Sequence, residues 1–182
     1  MRIISGSHKG RPIRLPKYFT DRPTTDFAKE ALFDILTNLY EFDQIRVLDL
    51  FAGSGNISYE FLSRGVRNIT LVEKNPKYIS FIRKQIQNLF PDIRSIAVVR
   101  DDAFNFLREH TLNYDIIFAD PPFDNPNIQQ LPDLVFDNPS VQDNCLFILE
   151  HPPKLSFENH KYFIRHKRYG HVNFSFFQKS NQ

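Results

Sequence analysis

Hydrophobic positions change their period repeatedly along the chain, and the changes predict alternating strands and helices. Arg46-Val47-Leu48-Asp49-Leu50-Phe51 is a short apolar run halted by Ala52-Gly53-Ser54-Gly55, as expected of a buried strand entering a turn. Residues 57–62 then suit a helix, and residues 68–72 a second strand closed by Glu73. Tyr78, Phe81, Ile82, Gln85, Ile86 and Leu89 fall at helical spacing, stopped by Pro91. Residues 95–99 read as a third strand and 103–107 as a short helix. Residues 114–119 make a fourth strand that ends at Asp120-Pro121-Pro122-Phe123, and residues 145–149 a fifth. Between the runs 161–165 and 172–177 there is no room for a crossover helix, so an antiparallel hairpin turning near Tyr169-Gly170 is predicted. Upstream, Ala28, Ala31, Leu32, Ile35 and Leu39 mark a helix capped near Thr25 or Asp26. Residues 2–4 and 12–15, around Gly6 and Gly10, predict a small hairpin. The pattern is that of a doubly wound α/β sheet with an antiparallel edge. It predicts one domain over 1–182, with an N-terminal basic extension (1–25) and a core (26–182).

Composition narrows the class. With 41% hydrophobic and 24% charged residues in 182, the chain can bury a core and is not of the disordered type. Its longest apolar run, Cys145 to Leu149, is far short of the roughly 20 residues of a membrane span. The opening Met1-Arg2-Ile3-Ile4-Ser5-Gly6 carries no apolar leader core. A lone Cys excludes an intrachain disulfide and a Cys-rich zinc site, and no His spacing suggests a metal. The expectation is a soluble, cytoplasmic protein without a metal. Charge is uneven: Arg2, Lys9, Arg11, Arg14, Lys17 and Arg22 crowd the first segment, and Lys154, Lys161, Arg165, Lys167, Arg168 and Lys179 the last, while the middle is acidic. Were the ends adjacent in space, they would form one basic face suited to nucleic acid.

Every unusual motif sits at a predicted strand's carboxyl end, where doubly wound sheets bind ligands. Asp49-Leu50-Phe51-Ala52-Gly53-Ser54-Gly55 has glycines for a tight turn and close ligand approach. Ser58 stands where a dinucleotide fingerprint has its third glycine, and no Gly-Lys-Ser/Thr follows. Asp49 would repel a pyrophosphate and favour a cation such as an amino-acid ammonium. Glu73, about 20 residues on, suits the two hydroxyls of a ribose. Asp101-Asp102-Ala103 could read an adenine edge, or cap the next helix. These three features together describe S-adenosylmethionine. In Asp120-Pro121-Pro122-Phe123 the prolines remove two N–H donors, leaving acceptors only, beside a flat ring. Such a pocket would hold a planar amine on a base, with both its N–H groups bonded to Asp120 and the Pro121 carbonyl, and stack the base on Phe123. Transfer of a sulfonium methyl then needs alignment rather than a metal or a covalent intermediate.

The combination resembles the amino-methyltransferases with a D/N-P-P-Y/F motif. Met1–Gly6 with Lys9-Gly10-Arg11, and Arg22-Pro23-Thr24-Thr25-Asp26 before a helix with Glu30-Ala31-Leu32-Phe33, resemble one family among them, the RsmD family of bacterial 16S rRNA guanine-N2 methyltransferases. The resemblance runs through the Tyr169-Gly170 turn. It implies a Rossmann-like class I S-adenosylmethionine-dependent methyltransferase with a seven-stranded, mostly parallel sheet. It implies Asp49, Phe51, Gly53, Ser54, Gly55, Glu73, Asp102, Ala103 and Asp120 around the cofactor, and Asp120, Pro121, Pro122 and Phe123 as the catalytic set. Arg2, Lys9, Arg11, Arg14, Arg22, Thr24 and Phe123 would meet the RNA. The implied partner is ribosomal RNA or an assembling small subunit, met by a monomer, and S-adenosylhomocysteine is the product. Two departures stand out: His171 follows the turn where the family commonly has an acid, and residues 124–139 are polar and broken by proline. An adenine-N6 or protein-glutamine methyltransferase shares the tetrapeptide. A noncatalytic RNA-binding module with a vestigial cofactor pocket is the rival of another class. A hydride-transferring dinucleotide enzyme is more distant still.

Overall fold

In the computed structural model, which describes residues 1–20 and 24–179, seven strands form one sheet in the order β3-β2-β1-β4-β5-β7-β6. The strands are β1 (Arg46–Leu50), β2 (Asn68–Glu73), β3 (Ser95–Arg100), β4 (Ile116–Ala119), β5 (Leu146–His151), β6 (Phe163–Tyr169) and β7 (Val172–Phe177). The first five are parallel, and β7 pairs antiparallel with both β5 and β6. Helices α1 (Asp26–Thr37), α2 (Asn56–Ser63), α3 (Pro76–Leu89), α4 (Ala103–Glu109) and α5 (Leu131–Phe136) cover the two faces. Chain order runs outward from β1 to β3 and then returns to β4 on the other side of β1, so the crevice lies above β1 and β4.

Parallel strands covered on both faces read as continuous apolar runs, which is why Val47, Leu48 and Leu50, like residues 116–119, are all buried. Val47, Phe118 and Ile148 pack toward α1 and α2 with Leu32, Phe33 and Phe61. Leu48, Ala119 and Leu149 pack toward α4 and α5 with Phe104 and Val135. Thr25 caps α1 by accepting from Ala28 N, and Asn75 caps α3 ahead of Pro76. The edge strand β6 carries Arg165, Lys167 and Arg168, charges that discourage edge-to-edge pairing.

One expectation is met by a short element and a second needs correction. First, the N-terminal hairpin forms around the antiparallel bridge of Arg2 with Pro12, with Ile3 N donating to the Arg11 carbonyl and Ile13 N to the Met1 carbonyl. Its loop is clamped onto α2: Ile4 N and Ser5 N donate to the Glu60 carboxylate, and Ser7 N to the Ser63 carbonyl. A side chain at Gly6, whose φ is +83°, would meet the Ser63 carbonyl oxygen at 1.9 Å. Second, β5 runs past Leu149 to include Glu150 and His151, both buried. No helix among the described residues is long and apolar enough to cross a membrane.

Candidate active site

The loop after β1 brings its backbone close to the crevice. Phe51 adopts φ 60°, Gly53 55° and Gly55 81°, so three of five successive residues are left-handed. A Cβ on Gly53 would meet nothing nearer than 3.7 Å, leaving its face open to a ligand. At Gly55 a Cβ would lie 2.5 Å from the Tyr59 ring, so the glycine is also a packing requirement. Glu73 holds this loop: Gly53 N donates to one carboxylate oxygen at 2.9 Å and Asn75 N to the other at 2.7 Å. Each oxygen keeps a second lone pair for an outside donor.

Asp49 lies beneath the loop, 3% exposed, and accepts a 2.5 Å bond from the Ser58 hydroxyl. Burial pushes its pKa up to about 7, against the pull of Ser58, and the nearby Glu73 charge adds to the rise. This carboxylate has too few donors for its burial, and a cation beside it would relieve the cost. The Tyr59 hydroxyl, also buried, finds no partner among the described residues. Farther along the crevice Asp102 caps α4 by accepting from Phe104 N, while Asp101 accepts from Asp102 N. Asp102 is thus a helix cap with one oxygen engaged, and Ala103 is buried as the first residue of that helix. The Phe51 ring packs edge-on against Phe104 at 5.8 Å, and Ser54 donates to the sulfur of Met1 at 3.4 Å.

Asp120 follows the last residue of β4, half-buried; Pro121 is buried, and Pro122 and Phe123 are exposed. Strand register aligns Leu50 with Ala119 and Ala119 with Leu149, so Phe51, Asp120 and Glu150 stand level, one residue beyond those pairs. Alternation puts Asp49, Asp120 and Glu150 on one face, that of α1 and α2. Glu150 is 4% exposed and accepts a 2.8 Å bond from the Thr24 hydroxyl. Thr24 in turn gives its carbonyl to Asn56 Nδ2, and Asn56 takes a bond from the buried Lys29 ammonium. Lys29 also donates to the Arg2 carbonyl and faces Glu60, which tethers the N-terminal segment beside the crevice.

Glu150, Asn56 and Lys29 escaped the reading of the sequence. A signal existed for one of them: Leu149-Glu150-His151-Pro152-Pro153 ends its strand much as Ala119-Asp120-Pro121-Pro122 ends β4. The basic set is spread along the N-terminal hairpin. Arg2 is paired with Asp26 at 2.8 Å. Arg14 follows Ile13, which is bonded to Met1 near the glycine loop. Arg11 gives its carbonyl to Ile3 N beside Arg2, and Lys9 follows the turn packed against the last residue of α2, a helix about 12 Å long at 1.5 Å per residue. Arg22 falls outside the described residues. Two hollows lie elsewhere: about 500 Å³ beside Arg83, Phe90 and Ile96, and about 390 Å³ under His8, Arg64 and Arg67.

Sheet order, glycine loop and Asp-Pro-Pro-Phe terminus together define a class I methyltransferase. The chain belongs to the RsmD family: the family model described as conserved hypothetical protein 95 matches residues 1–178. Ribosomal RNA small subunit methyltransferase D of Escherichia coli strain K12 is 33% identical over 82% of this chain and 74% of its own length. The protein of that name from Buchnera aphidicola subsp. Baizongia pistaciae is 32% identical over 82% and 75%. The solved structure of Escherichia coli yhhF superposes with a TM-score of 0.84 at 30% identity, covering 100% of this chain and 99% of that one.

Proposed function

We propose that this chain transfers a methyl group from S-adenosylmethionine to the exocyclic N2 of a guanine in small-subunit 16S ribosomal RNA, leaving S-adenosylhomocysteine. The observation that carries the reading is Asp120-Pro121-Pro122-Phe123 at the end of β4, level with the glycine loop of the neighbouring strand. The names of the RsmD relatives support an rRNA substrate.

The residues present fit the cofactor. Asp49, short of donors, suits its ammonium; the bare face of Gly53 and the left-handed turn through Phe51, Ser54 and Gly55 admit its amino-acid end. The spare lone pairs of Glu73 suit the ribose hydroxyls, and the remaining oxygen of Asp102 with the Ala103 N–H suits the adenine edge. S-adenosylmethionine supplies an electrophilic methyl group. Asp120 and the Pro121 carbonyl accept the N–H bonds of the guanine amine, which localises its lone pair and aims it along the transfer line. Pro122 stiffens this turn, and Phe123 stacks the extruded base. Arg2, Arg14 and Thr24 border the crevice side of the RNA, Lys9 and Arg11 meet its phosphates, and Arg22 supplies a further RNA contact. We place the enzyme in the cytoplasm, as a monomer acting on the assembling subunit.

The test is transfer of label from S-adenosylmethionine to small-subunit particles and to purified rRNA, followed by digestion to nucleosides. Label in N2-methylguanosine, abolished in Asp120→Ala, is expected. Label in adenosine or in protein would leave the mechanism and discard the substrate. Absence of transfer alongside tight RNA binding would favour the noncatalytic module.

A further inference from the structure

The mechanism above leaves the buried Glu150 unused. Glu150 stands one residue before the end of β5, on the same sheet face as Asp120 and at the same level. Paired strands lie about 4.8 Å apart, so the two carboxyl groups flank one position of the crevice. A purely structural partner for the Thr24 hydroxyl could be a glutamine, which accepts the same bond without the cost of burying a carboxylate. Burial pushes the Glu150 pKa up to about 7 even with that bond. The carboxylate therefore carries a cost that a further donor would offset.

From this juxtaposition we infer that Glu150 is the specificity-determining residue of the base pocket, accepting the N1–H of guanine while Asp120 holds the neighbouring 2-amino group. The inference rests on the guanine-N2 reading and deepens it. Guanine presents adjacent N1–H and N2–H donors on its Watson–Crick edge. Adenine presents a lone pair at N1, which would face the Glu150 carboxylate acceptor to acceptor. Two level acids thus admit guanine and reject adenine, a discrimination the tetrapeptide cannot make alone. A site built to bond a polar group excludes the analogue that lacks it far more strongly than an apolar pocket does. Thr24 holds the Glu150 carboxylate in place, and through its carbonyl and Asn56 it ties α1 and α2 to the pocket.

The experiment uses the full chain and small-subunit particles assembled on two versions of one rRNA, made by ligation around the guanine that the wild-type enzyme methylates. One carries guanine there, and the other 2-aminopurine, which keeps the 2-amino group, lacks the 6-oxygen and has an acceptor at N1, so the change of preference in the Glu150 variants is what isolates the N1 contact. The wild-type enzyme is expected to prefer guanine in kcat/KM by about 100-fold or more. Glu150→Gln can turn its amide N–H toward the 2-aminopurine N1, so the preference should shrink at least about tenfold. Glu150→Ala should also narrow it, by losing guanine alone. The ratio does not depend on how much of a variant is folded. An unchanged ratio in both variants, with both substrates slowed alike, would make Glu150 structural and overturn the inference. So would a wild-type enzyme indifferent to the two bases. Failure of the wild-type enzyme to methylate guanine at all would instead remove the reading on which the inference rests.

Discussion

Replacing Asp49 by Asn should make the free protein more stable and deprive it of its cofactor. The native carboxyl keeps its proton up to about pH 7, whereas the unperturbed group releases it near 3.8. Between those values the native state binds more protons than the unfolded state, so this residue's contribution to stability falls as pH rises through that window and levels off above it. About three pKa units at about 1.36 kcal/mol each give a cost of about 4 kcal/mol at pH 8, and about 1.5 kcal/mol at pH 5. Asn keeps an oxygen for the Ser58 hydroxyl and carries no charge, so Asp49→Asn should recover most of that cost. The assay is urea unfolding of both proteins at pH 5, 6, 7 and 8, with calorimetric binding of S-adenosylmethionine alongside. The stability gap should widen by about 1.4 kcal/mol per pH unit up to about pH 7 and then flatten. Cofactor affinity of the variant should drop at least about 30-fold, as expected for a lost charge-assisted bond to an ammonium. A gap that stays constant from pH 5 to 8 would refute the burial argument. Undiminished cofactor binding by the variant would refute the assignment of Asp49 to the ammonium.

Further expectations concern other parts of the site and its scaffold. Phe123→Ala should lower kcat/KM by about 5- to 100-fold, the worth of one stacked base, while calorimetric cofactor binding stays unchanged. Gly6→Ala, at φ +83° against a backbone carbonyl, should cost about 1–3 kcal/mol or more in urea unfolding and expose residues 1–14 to proteolysis. Lys29→Met should destabilise by about 3 kcal/mol, because Glu60 would lose its buried cation and keep Arg64 and the Ile4 and Ser5 N–H groups; chemical denaturation would read this. Charge reversal at Arg14 should weaken rRNA binding more than reversal at Lys9, which lies at the far end of α2; salt-dependent affinity measurements separate the two.

The sequence by itself determined the order of the parallel strands and helices, because runs buried on both sides are apolar at every position and their turns carry Gly, Pro or Asp. It also placed Asp49, Gly53, Glu73 and Asp120 at strand ends, since those residues interrupt the runs. It also marked the small hairpin of residues 2–15, which closes around Arg2 and Pro12, but not the Glu60 carboxylate that clamps its loop onto α2. How the basic residues of the first segment are spaced was not legible, because sequence distance ignores that this segment runs along α2 and then folds back on itself. Glu150 was hidden for a different reason: a lone acid after an apolar run looks like a solvated strand end. Only the pairing of β5 with β4 on one side and β7 on the other buries it, and only that register sets it level with Asp120. Local chemistry is written in neighbouring residues. Which acids share a face, and which of them must be buried, is decided by strands that meet from distant parts of the chain.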